Sequence, residues 1–126
     1  MNDSGQELHA VSLTEMQRYL LAKARSTNAQ RAADTVYGSR DTVLRQTMLV
    51  LLAGAELAEH DSPPEATLHL LSGRVRLMTG SRSWELNGGD FIAIPPERHS
   101  VTAVEDSVFL LAVIRVTAEA IERTAA

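Results

Sequence analysis

Gly89-Asp90-Phe91-Ile92-Ala93-Ile94-Pro95-Pro96-Glu97-Arg98-His99 closes the segment that decides the fold, and Gly54-Ala55-Glu56-Leu57-Ala58-Glu59-His60 opens it. Between these ends lie short apolar runs separated by glycine-marked turns. The segment also holds three of the four histidines of the chain (His60, His69 and His99) and two proline pairs, Pro63-Pro64 and Pro95-Pro96. Each terminal histidine follows a strand-like run. Histidines far apart in sequence but each at a strand end are what a small β-barrel needs to bring imidazoles together in its mouth.

Working outward, the pattern stays β on both sides. Strands are predicted over residues 33–37, 42–52, 56–59, 67–71, 74–78, 83–86, 91–94, 100–104 and 108–116. Gly38-Ser39-Arg40-Asp41, Ser72-Gly73, Gly80-Ser81, Asn87-Gly88-Gly89 and Glu105-Asp106 supply the breaks. Strands this short and this regularly spaced indicate a sandwich or barrel, not a parallel sheet with crossover helices. Residues 48–52 are continuously apolar, as expected of a strand buried on both faces. Gly88-Gly89 supplies positive φ for a turn, and Asp90 is placed to brace that turn through its side chain.

Before the β region, Ser12-Leu13-Thr14-Glu15 has the form of a capping box. Leu13, Met16, Leu20 and Ala24 then recur at helical spacing, giving one apolar stripe to lay on the sheet or on a second subunit. The pattern fades by Arg31. The expected organisation is a leader and amphipathic helix over residues 1–32 and one β-barrel domain over 33–126, with a short terminal helix over 117–123.

Composition bounds the function. A chain of 126 residues is one domain by size. Its net charge of −4, with eleven scattered arginines and Lys23 as the sole lysine, argues against nucleic-acid binding. The absence of cysteine excludes disulfides, thiolate metal sites and a cysteine nucleophile. Residues 1–10 lack the pattern of a signal peptide, and no apolar run reaches the roughly 20 residues of a membrane span. The expectation is a cytoplasmic protein without a membrane segment.

The segment 44–114 resembles the cupins, small double-stranded β-helix (jelly-roll) barrels. The first cupin motif runs glycine, five residues, His-x-His, three or four residues, glutamate, six residues, glycine. Gly54, His60 and Gly73 match it; the second histidine position falls on Ser62 and the glutamate position on Ala66. The second motif runs glycine, five residues, Pro-x-Gly, two residues, histidine. Gly89, Pro95 and His99 match, Glu97 replaces the glycine, and the proline-to-histidine spacing is one residue shorter. The resemblance implies an all-β jelly-roll barrel with an N-terminal α-helix, commonly a homodimer.

It also implies a metal site of three histidines and one carboxylate, here reduced to His60 and His99. Completing it would take Glu65, one residue from the vacant position, or His69, which strand alternation puts on the opposite face from residue 66. Neutral imidazoles suit one divalent Fe, Mn, Ni, Zn or Cu ion; without a metal the two histidines would form a polar pair. Arg45 and Gln46 interrupt an apolar strand, so one of them is expected to point into the barrel and meet an anionic or carbonyl group. Trp84 is the single tryptophan and a candidate wall of a ligand cavity. The candidate ligand-binding residues are therefore Arg45, Met48, His60, His69, Trp84 and His99. Two readings stay open. One is a non-catalytic barrel that binds a small organic molecule as a sensor or regulatory accessory, with no cofactor. The other is a metal-dependent dioxygenase or isomerase acting on a small carbonyl or carboxylate compound.

Overall fold

The computed structural model describes residues 9–60 and 63–115, with His60 described by its backbone. The first element is a helix, α1 (Leu13–Arg25). The Ser12 Oγ accepts the Glu15 N–H at 3.1 Å, which is half of the expected capping box. The reciprocal half is missing, because the Glu15 carboxylate takes the Arg18 guanidinium at 2.8 Å instead. A charge-assisted pair one turn along the helix outcompetes a bond to a single backbone donor.

Among the described residues nine strands follow: β1 (Arg31–Tyr37), β2 (Leu44–Leu51), β3 (Glu56–His60), β4 (Glu65–Ser72), β5 (Arg74–Met78), β6 (Ser83–Asn87), β7 (Phe91–Ala93), β8 (His99–Ala103) and β9 (Ser107–Ile114). Each corresponds to an expected strand, and β1 starts at Arg31, two residues early. They form a five-stranded sheet, β1-β2-β9-β4-β7, and a four-stranded sheet, β3-β8-β5-β6, paired antiparallel throughout. The fold is the expected all-β jelly-roll barrel with an N-terminal helix. Among the described residues no helix is long and apolar enough to cross a membrane; the expected helix over 117–123 lies outside them.

Strand alternation divides the large sheet into two faces with separate cores. Leu51, Ala66, Leu68, Leu70 and Phe109 face the small sheet and meet Val75, Leu77, Leu86, Val101 and Ala103 in the barrel interior. On the other face Met48, Val50 and Val108 pack under Leu20 and Ala24 of α1. Both faces of β2 are therefore buried, as the unbroken apolar run of residues 48–52 implies. α1 lies on the sheet over β1, β2 and the Val108 end of β9, leaving β7 outside that cluster.

Positive φ falls where the turns need it, at Gly54, Gly73 and Gly89 but not at Gly88. The Asp90 Oδ2 accepts the Asn87 N–H at 2.7 Å and braces the β6–β7 turn.

Candidate ligand site at the barrel mouth

Two histidines separated by most of the barrel sequence become direct neighbours in one sheet. His60 ends β3, His99 begins β8, and the two are register partners. A register shift between Leu57 and His60 puts a bulge just before the pair, the kind of irregularity that re-aims side chains at barrel rims. The His99 ring is only 2% exposed, and its Nδ1 lies 2.9 Å from the Glu97 carbonyl oxygen. A carbonyl only accepts, so Nδ1 is the donor in this contact.

The large sheet contributes a different chemistry. Arg45 on β2, Val113 on β9 and Ala66 on β4 stand on one rung, Arg45 opposite Val113 and Val113 opposite Ala66. Ala66 and Val113 belong to the barrel core, so Arg45 shares the inward face and Gln46 the outward one. The next rung inward is Thr47, Leu111 and Leu68. Arg45 is half-buried, and among the described residues no carboxylate or carbonyl engages it. Apart from the exposed Arg40, the other described arginines are engaged. Arg18, Arg25, Arg74, Arg76, Arg82 and Arg98 each face a carboxylate. Arg31 and Arg115 each donate to a backbone carbonyl.

The other sequence candidates scatter. β4 and β9 pair without a break from Glu65 to Leu70, so Glu65 and His69 both face away from Ala66 and from the barrel interior. His69 instead meets the Phe91 ring edge-on, with centroids 6.2 Å apart. Met48 is buried under α1 and lines no part of the barrel interior, because it has the parity of Gln46 and Val50. Trp84 does point inward, packing against the barrel core with the Arg82 guanidinium 4.9 Å above its ring. The structure thus gathers Arg45, His99, Trp84 and the His60 backbone around one barrel and excludes Met48, His69 and Glu65 from it.

A divalent metal fits this arrangement poorly. The carboxylate position of the cupin motif holds the buried methyl of Ala66, and the same rung brings in the positive charge of Arg45. A second cation there meets repulsion and no neutralising carboxylate. Among the described residues no three His, Asp or Glu side chains converge; Ser62, the second vacant motif position, lies outside them.

Two features escaped the sequence reading. Arg82 pairs with Glu97 at 3.0 Å, linking the β5–β6 turn to the loop that carries His99; no spacing rule connects those positions. A shallow depression of about 350 Å³ also lies on the outward face of the large sheet. Small side chains at Thr67, Ala93 and Ala112 form its floor, with Leu44, Ile114 and the Pro64 and Pro96 loops around it. Its signal in the sequence was the small outward-parity residues of β4, β7 and β9, visible only once register is known.

The sequence matches no family model and no curated protein. Solved structures do match. The chain is similar to a conserved protein of unknown function from Streptococcus pyogenes, at 25% identity over 86% of this chain and 90% of that one, with a TM-score of 0.67. A cupin superfamily protein from Desulfitobacterium hafniense aligns at 13% identity, covering 68% of this chain and 77% of that one, with a TM-score of 0.62. An HTH_3 family transcriptional regulator from Vibrio cholerae aligns at 21% identity over 80% of this chain and 60% of that one, with a TM-score of 0.58.

Proposed function

This chain has the fold of the cupin superfamily, and we propose that its barrel is a non-catalytic binding site for a small organic anion, serving a sensory or regulatory accessory role. One observation carries the reading: Arg45 is on the inward face, half-buried and without a partner among the described residues, on the rung where Ala66 has replaced the motif's carboxylate. A guanidinium held partly out of water without a partner is poorly solvated. A ligand carboxylate supplies two parallel charge-assisted hydrogen bonds, and hydrogen bonds to charged groups contribute about 1.5–3 kcal/mol each. Val113 and Leu111, both partly buried on the inward face, offer an apolar wall for the rest of the molecule, and His99 adds a polar contact. The fold alone does not choose between a sensor and an enzyme, since one barrel hosts unrelated activities.

The test uses Trp84, the single tryptophan, as reporter. Titration with acetate, pyruvate and benzoate is expected to change its fluorescence saturably for at least one of them. Arg45→Met should abolish that response without loss of fold. No response to any carboxylate, or an undiminished response in Arg45→Met, sinks the anion reading. The alternative, a metal-dependent dioxygenase or isomerase, draws on the His60–His99 register pair. It is tested by metal analysis of protein purified without a metal-affinity tag. Near-stoichiometric transition metal, abolished by His60→Ala and by His99→Ala, would replace the binding-module reading.

The outward face beyond α1 supports a homodimer. Phe91 on β7 is 63% exposed and Leu44 on β2 is 39% exposed, on the same face of one sheet. An apolar surface of this kind gains from burial against a second copy.

A further inference from the structure

We infer that the anion is a straight-chain aliphatic carboxylate, its head on Arg45, its hydrocarbon body along β2, and Thr47 its second anchor. The burial of inward-facing residues locates the open part of the barrel. On β4 the inward residues Ala66, Leu68 and Leu70 are at most 6% exposed, and Val101 and Ala103 of β8 are equally closed. On β2, by contrast, the inward residues Arg45, Thr47 and Leu49 are all only half-buried. Leu111 and Val113 of β9 beside them, and Leu57 of β3 from the other sheet, are also partly open although they pack on the core. Ala33 and Thr35 of β1, the register partners of Leu49 and Thr47, are exposed. Open space therefore follows β2, along the edge where the two sheets part. One rung past Leu49, Arg31 stands opposite Leu51 and donates to the Glu56 carbonyl of β3 at 3.3 Å, tying the sheets together and closing that edge. The far edge of the sandwich, with Trp84 and Ile92, is partly open too, but its arginine, Arg82, is already paired with Glu97.

The chemistry along the open edge is graded. Arg45 stands at one end, Thr47 one rung on and Leu49 a rung further, all on one face by strand alternation. Neither the Arg45 guanidinium nor the Thr47 hydroxyl is engaged by another described residue. Two half-buried polar groups without partners gain from a ligand that bonds to both. A carboxylate fits them: its two oxygens take the guanidinium fork, and either keeps a lone pair for the hydroxyl. Past Thr47 the flanking side chains turn apolar, with Leu111 across the strand pair and Leu49 along the strand. From Arg45 to Leu49 is about 13 Å of strand, room for a chain of several methylenes. A polyhydroxylated acid would set its hydroxyls against leucine there and lose their bonds to water.

This inference rests on the anion reading but fails separately from it. Both are read by calorimetric titration with acetate, butyrate, hexanoate, decanoate, hexan-1-ol and inorganic phosphate. Wild-type affinity is expected to rise about fourfold per methylene from acetate to hexanoate. It should level off by decanoate, whose chain outruns the edge that Arg31 closes. Hexan-1-ol and phosphate should both bind about tenfold or more weakly than hexanoate. Thr47→Val should weaken every carboxylate about tenfold. Leu49→Trp, which fills the edge, should remove the gain from butyrate to hexanoate and leave acetate unchanged. Leu49→Gln reads the same point should the tryptophan variant fail to fold: hexanoate weakens and acetate does not. Equal affinities for acetate and hexanoate, both lost in Arg45→Met, sink the chain and leave the anion reading standing. A chain-length dependence shared by hexan-1-ol and unmoved by Arg45→Met sinks the anion reading and keeps the chain site along β2. Wild-type affinities in Thr47→Val remove the second anchor. A change of oligomeric state in Leu49→Trp, seen in sedimentation, would assign the edge to a second copy and overturn the proposal.

Discussion

A methyl group added at Gly73 would lie 2.3 Å from the Asp106 carbonyl oxygen and 2.4 Å from Ser107 Oγ, while one added at Gly89 would meet nothing within 4 Å. Both glycines have positive φ, so alanine at either costs about 1–2 kcal/mol of backbone strain. Only Gly73 adds a clash with backbone. Gly73→Ala is therefore expected to lose about 3 kcal/mol or more and Gly89→Ala about 1 kcal/mol, read from denaturant midpoints. Near-equal losses would show that the β4–β5 turn can relax. Arg45 makes the opposite kind of prediction. It has no partner to lose, so Arg45→Met should leave the midpoint unchanged or raise it while removing carboxylate binding. A marked loss of stability would mean that Arg45 serves the fold. Gly54, Gly73, Gly89 and His99 were legible as single residues because turn chemistry is local. Whether Arg45 or Gln46 faces inward was not, since it depends on the register with β9.

At the level of elements, α1 packs on the outward face of β1, β2 and the start of β9, and β1 is an edge strand. Leu20 is fully buried in that contact, so Leu20→Ala is expected to cost about 2–4 kcal/mol. Loss of the cap in Ser12→Ala should cost about 1 kcal/mol. Hydrogen exchange in Leu20→Ala should accelerate first in β1 and later in β4 and β9, which the barrel core holds from the inner side. Uniform acceleration would instead make helix and barrel one cooperative unit. The helix and all nine strands were visible in periodicity and turn residues, because each element's own pattern encodes it. The fate of the Glu15 carboxylate was not, since two local partners competed for it and only geometry chose Arg18.

For the whole molecule, the exposed outward face around Phe91 predicts assembly. Sedimentation at micromolar concentration is expected to show a dimer. Phe91→Glu should shift it to monomer with unchanged secondary structure. A wild-type monomer at every concentration would refute the homodimer, and a dimer surviving Phe91→Glu would move the interface elsewhere. The outward depression at Thr67, Ala93 and Ala112 lies on this same face. It and the Phe91 patch require the whole sheet order, which places β7 beside β4.

The sequence by itself determined the architecture. Gly54, Gly73, Gly89 and the proline pairs punctuate strands whose alternation commits each residue to a face, and those are properties of short stretches of chain. It also determined the two motif vacancies, since Ala66 cannot ligate in any conformation. Tertiary structure decided what occupies the mouth. Register across β2, β9 and β4 set Arg45 on the rung of Ala66, with Val113 between them, and turned Glu65 and His69 outward, and the β5–β6 turn brought Arg82 to Glu97. These outcomes depend on pairings between strands far apart in sequence, where a shift of one residue would exchange the two faces.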